Sequence, residues 1–329
     1  MPDPFQYTWA LLTAFAVSFL AIVGARSFFR WRACRTASII EVIAVVAGLI
    51  AGYRVLQFEW VWPPANAINR FLTIILPAAV IVELISGLAP VPANPEARRL
   101  KGAGLFLILV VGLRAGLFAS IGRVLLHNSV YLKVFSGVDA TWSGWQLFVL
   151  LTVSAVLLMV LWLLLSRLER RDGSGSVTAS LALSIMTAGL AIMLRGYIKG
   201  GVAGFPIAAS LMGVAMTSSI LRPEVFVANR QLLPSSIGLG ITALFSLVWV
   251  GSFFGQLPSV DAITIFLAPS LCWVSELTLF RRMTSRRKVV LRLIAVAILL
   301  TIQLLIAKRA FDQKLAPLVA VTEESSLSI

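Results

Sequence analysis

The sequence predicts an all-α fold, a polytopic membrane helix bundle of about ten transmembrane helices with both termini outside. Three observations predict it. The 329 residues are 59% hydrophobic and only 13% charged, with a mean hydropathy of +0.94, and a soluble domain of that composition would have too little polar surface to offer water. Apolar stretches of roughly 20 residues, the length that crosses a bilayer, recur along the chain. Short loops separate them, and every second loop is rich in arginine and lysine.

The chain starts MPDPFQYTW, with Asp3 and no base, and its first stretch is 8–24; the positive run Arg26, Arg30, Arg32 and Arg35 comes afterwards. A cleaved signal places its charge before its apolar core, so a retained first helix with its N-terminus outside is expected. The second helix, 37–56, carries Glu41 one turn in and Arg54 at its far end. Trp60 and Trp62 then suit a membrane interface, while Pro63 and Pro64 break helix. The third helix, 71–88, contains Pro77 and Glu83, and a loop with Arg98, Arg99 and Lys101 follows. The fourth, 102–126, is almost unbroken apolar sequence with Arg114 near its middle. An arginine at that depth costs at least ~2.5–3.5 kcal/mol on insertion scales, so it is expected to face protein or water.

A long loop with Trp142 leads to the fifth helix, 144–166, which ends in RLERRDGSGS. The sixth and seventh, 177–197 and 202–221, are joined so closely that a tight hairpin is expected. The eighth is 235–254. The ninth, 262–280, contains Pro269 and Glu276 and precedes RRMTSRRK, the most basic loop. The tenth is 289–307, and 308–329 form a polar tail. Loops after the odd-numbered helices each hold at least two bases and together most of the 28 Lys/Arg, which places both termini outside. The whole chain reads as one integral membrane domain, in a plasma or inner membrane if the source is bacterial. A five-plus-five division into 1–171 and 177–329 would make the halves inverted in topology, but the best internal likeness, LPAAVIVEL with APSLCWVSEL, pairs the wrong helices for it.

The net charge of +14 has its source in loop anchors rather than in a nucleic-acid surface, since no basic domain stands outside the membrane. Cys34 and Cys272 fall on different elements, so no disulfide is expected, and a single histidine, His127, leaves no metal spacing. No cofactor is implied. The expected partners are the bilayer and an anionic small molecule or lipid headgroup.

Charged residues inside the helices carry the functional reading. Glu41, Glu83 and Glu276 sit one to two turns from the cytoplasmic ends, whereas Arg114, Arg123, Arg195 and Lys199 lie deep or toward the outer side. That pattern suits a basic mouth that draws in an anion, with carboxylates below it. Local pairing of Glu83 with Arg98 or Arg99, and of Glu276 with Arg281 or Arg282, is the plainer alternative. Arg123 and His127 are four apart on one helical face, where a histidine can act as a general base, yet no nucleophile motif accompanies it. Glycines at 196, 200, 201 and 204 beside Arg195 and Lys199 either converge on an anion or make a tight turn. Gly48/Gly52, Gly112/Gly116 and Gly251/Gly255 are spaced for close helix contact, which places Arg114 inside the bundle. Three roles fit: a permease or flippase-like carrier for a small or lipid-linked anion, a non-catalytic membrane scaffold or subunit, and an outer-leaflet transferase using His127. The lack of enzyme motifs favours the first two.

Overall fold

The structure, a computed structural model, describes residues 4–28, 36–88, 101–127, 144–172, 174–220, 235–277, 280 and 283–314. Ten principal elements follow one another: α1 Pro4–Phe28, α2 Thr36–Val55, α3 Ala67–Gly87, α4 Lys101–Leu126, α5 Gly144–Asp172, α6 Ser176–Leu194, α7 Gly204–Ile220, α8 Ser235–Phe254, α9 Ser259–Leu267 with its continuation Ala268–Glu276, and α10 Ser285–Lys314; a five-residue helix, Ile198–Val202, fills the hairpin between α6 and α7. Among the described residues there is no strand, and nine helices are long and apolar enough to cross a membrane. The chain is therefore a helical, multi-pass integral membrane protein.

The ninth element departs from the sequence expectation of one long helix over 262–280. It is α-helical for nine residues and then winds as a nine-residue 3-10 helix. Pro269 supplies the cause: its nitrogen has no hydrogen to donate and its ring clashes with the carbonyl four residues back. Pro77 acts differently. The five residues before Leu76 widen into a π-turn, and the Leu76 N–H reaches the Phe71 carbonyl, so α3 makes room for the ring without stopping.

α6, α7 and α8 form the most buried layer of the bundle, and the remaining helices pack around them. α1 and α2 lie against α7, α3 against α8, and α10 against α6; α4 pairs with α5. Gly48 and Gly52 let α2 approach α1 and α7 so closely that an added Cβ would meet the Ala14 carbonyl at 2.6 Å and Pro206 at 2.8 Å. Gly251 similarly seats Ile192. Gly112 and Gly116 do not follow this rule. Both are exposed with nothing within 4 Å, because the buried face of α4 is the one that carries Arg114, Phe118 and Ile121. The outer helices expose broad apolar faces, as lipid-facing helices do.

Two chemically distinct ends result. Exposed aromatic residues collect at one: Phe5 and Trp9 at the start of α1, Trp60 and Trp62 after α2, Trp145 and Phe148 at the start of α5. Such rings favour the headgroup level. Arginines and lysines collect at the other, at the end of α5 and the start of α10. Contacts tie like ends together. The Tyr53 hydroxyl near the end of α2 donates to the Ala203 carbonyl at the start of α7 at 2.7 Å, and Thr178 and Ser236 meet at the opposite ends of α6 and α8.

Candidate functional site at the basic end

Two buried clusters of charge occupy the basic end. The first joins α3, α4, α5 and α8. Arg114 donates from Nε to Glu83 Oε1 at 3.1 Å and from Nη2 to Glu83 Oε2. This two-point geometry matches a guanidinium fork to a carboxylate. The Arg114 Cζ lies 4.3 Å from the ring centre of Trp162, a cation–π contact. Both charged side chains are almost completely buried. Gly238 on α8 makes the space, since a Cβ there would collide with Glu83 Oε1. Arg114 Nη1 has no hydrogen-bond partner among the described residues.

Glu83 is four residues from the end of α3, or about 6 Å along the axis, and Gly238 is three residues from the start of α8. The Arg114 guanidinium reaches that carboxylate from 13 residues into α4. Its partner is not one the sequence pointed to, and Arg98 and Arg99 lie outside the described residues.

The second cluster joins α5, α6, the 3-10 stretch and α10. Arg292 is buried and donates to Ser275 Oγ at 2.6 Å, Ser176 Oγ at 3.2 Å and Glu276 Oε1 at 2.9 Å. Arg171 approaches the other carboxylate oxygen of Glu276 at 3.6 Å and lies over Trp273. Glu169 accepts from the backbone N–H groups of Gly175 and Val177 at 2.7 and 3.2 Å, so a carboxylate closes the N-terminus of α6. The helix dipole favours negative charge there. Gly175 holds φ +69°, the left-handed turn that lets the chain double back from α5 into α6. Glu276 thus has Arg292 and Arg171 as partners; Arg281 and Arg282 lie outside the described residues. Glu41 is half-buried one turn into α2.

The remaining candidate residues lie toward the aromatic end and do not converge on Arg114. Arg195 pairs with Asp261 at 3.1 Å across the α6–α9 contact. Lys199 and Arg123 are exposed. Gly196, at φ +93°, makes the turn after α6, and Gly200 fits under the Tyr197 ring. Those glycines serve turn and packing. His127 is exposed at the end of α4, and its backbone carbonyl accepts from Arg70. Arg70 also reaches the Leu125 carbonyl at 3.4 Å, so it satisfies the free carbonyls of the α4 C-terminus. Asn128, Ser129 and Tyr131, which follow His127, lie outside the described residues.

Sequence reasoning missed Arg292, Glu169 and Asp261 as buried or paired charges. For Arg292 the signal was present: VVLRLIAVAILL embeds an arginine in apolar sequence as plainly as the stretch around Arg114 does. Glu169 and Asp261 stand in polar surroundings that carry no such mark.

Two concave surfaces accompany these clusters. A cavity of about 330 Å³ at the aromatic end is lined by Arg195, Tyr197, Phe254 and Gln256 among others. An open groove of about 570 Å³ at the basic end is lined by Leu163, Arg167, Arg170 and Arg171. No group of three or more metal-ligating side chains occurs among the described residues. The chain matches no protein-family model, no curated protein and no solved structure.

Proposed function

We propose that the chain is a non-catalytic membrane subunit, a rigid bundle that holds its helices in fixed register for a partner. The observation that supports this most is the sealing of Arg114. Its charge is matched by Glu83, one face is covered by Trp162, and its side chain is shut off from solvent. An arginine that received a transported anion would need water access and an unmatched charge. Arg292 is likewise enclosed and matched by Glu276.

Cysteine accessibility tests the proposal. Single cysteines replace Val110 and Phe118, which flank Arg114 on the buried face of α4, in a variant lacking Cys34 and Cys272. A membrane-impermeant thiol reagent is applied from each side of oriented vesicles. A fixed bundle leaves both positions unlabelled over hours. Labelling from both sides would show that the interior opens alternately and would overturn the proposal.

One observation favours the carrier reading as the second. The ninth element gives up α-helix for a 3-10 winding next to buried Arg292, and irregular backbone at membrane depth accompanies ion and substrate sites in transporters. On that reading the cargo is a small or lipid-linked anion, and the same labelling pattern that defeats the scaffold would support it.

A further inference from the structure

We propose that the groove formed by Leu163, Arg167, Arg170 and Arg171 binds the phosphate headgroup of an anionic phospholipid. The groove holds three guanidinium groups on the last two turns of α5. Two nearby acids are already engaged. Glu169 is bound to the backbone N–H groups of α6, and Glu276 is held by Arg292. Arg171 shares Glu276 only at 3.6 Å and remains half exposed. Arg170 donates from Nε to the Ser166 carbonyl, which fixes the side chain without neutralising it. Arg167 is exposed and makes no ion pair among the described residues. The groove therefore presents three guanidinium groups, of which only Arg171 approaches a carboxylate among the described side chains.

Position identifies the anion. On α5 the exposed residues Val156, Val160, Leu163, Arg167 and Arg171 follow the three- and four-residue spacing of one helix face. The apolar part of that stripe would lie against acyl chains, and it leads without interruption into the arginines. A ligand with chains below and a phosphate above matches the stripe along its length, whereas a free anion matches only its end. Basic pockets beside transmembrane helices recognise acidic headgroups by the same combination. Trp145, exposed at the far end of the same helix, sets the opposite interface.

The test uses the full-length protein in a neutral detergent, titrated calorimetrically with dioctanoyl phosphatidylglycerol, dioctanoyl phosphatidylcholine and inorganic phosphate. The expected result is saturable binding of phosphatidylglycerol and none of phosphatidylcholine. Each arginine near a charged surface is worth roughly fivefold in affinity, so Arg167→Gln weakens binding about fivefold and Arg167→Gln/Arg171→Gln about thirtyfold. Arg167→Gln disturbs no ion pair and keeps the test valid if the double variant fails to fold. Arg123→Gln/Lys199→Gln, which removes equal charge elsewhere, leaves binding unchanged. Equal binding of both lipids, equal binding of inorganic phosphate, or equal loss in the Arg123/Lys199 variant would each overturn the assignment.

Discussion

Removing one member of the Arg114–Glu83 pair should cost far more than removing both. In Arg114→Met the Glu83 carboxylate stays beside Gly238 with no counter-charge and no route to solvent, since only a few per cent of its side chain is accessible. Breaking a buried ion pair from one side costs about 3–5 kcal/mol. Loss of the Trp162 contact adds about 0.5–2 kcal/mol. Glu83→Met strands the guanidinium instead, which already has one nitrogen without a partner among the described residues, and falls in the same range. Arg114→Met/Glu83→Met replaces both by unbranched apolar chains, and such exchanges of a whole pair are within about 1 kcal/mol of neutral or better. The coupling energy of the cycle is then at least about 5 kcal/mol. Equilibrium unfolding in mixed micelles, followed by tryptophan fluorescence and circular dichroism, measures all four corners. Single variants that each cost under about 1 kcal/mol, or a double variant as costly as the sum of the singles, would refute a desolvated, mutually dependent pair.

Three further substitutions probe the frame around the two clusters. Gly238→Ala places a methyl where Glu83 Oε1 lies and should destabilise by about 1–3 kcal/mol; a melting temperature equal to wild type would mean that α3 and α8 separate freely. Tyr53→Phe keeps the edge-on packing against Phe58 and Trp60 but removes the donor to the Ala203 carbonyl, a loss of about 0.5–1.5 kcal/mol in denaturant titration. Glu169→Gln weakens closure of the α6 N-terminus by about 1 kcal/mol. It should appear as faster amide exchange confined to the Gly175–Ala179 region, with exchange in α8 unchanged.

Periodicity and apolar length made the helices legible, because a bilayer demands long apolar runs whatever the fold. Their partners were less so. Lipid-facing and protein-facing positions are both apolar, so nothing in the letters of α4 distinguishes the Gly112/Gly116 face, which is open, from the Phe118 face, which is packed. The partner of Arg114 is hidden for a related reason: only the folded chain brings it to Glu83, 31 residues earlier. Pro269 announced a disturbance in the ninth element, and Pro77 announced one in the third. One yields a 3-10 stretch and the other a π-turn, a difference that the proline alone does not announce. Arg292 has apolar residues on both sides that match those around Arg114, and the run of bases just before it is what obscures the likeness.

The 3-10 winding of Ala268–Glu276 also sets a length. A 3-10 helix rises about 2.0 Å per residue against about 1.5 Å for an α-helix, so nine residues reach about 4.5 Å farther than they would as α-helix. Glu276 is the last residue of that stretch, and its carboxylate meets Arg292 at 2.9 Å. Rewinding the stretch as α-helix with α9 held in place would withdraw Glu276 by more than the length of its hydrogen bond. Turn geometry and ion pair therefore meet at one residue: the longer reach of the 3-10 coil, begun at Pro269, carries the Glu276 carboxylate to Arg292 on α10.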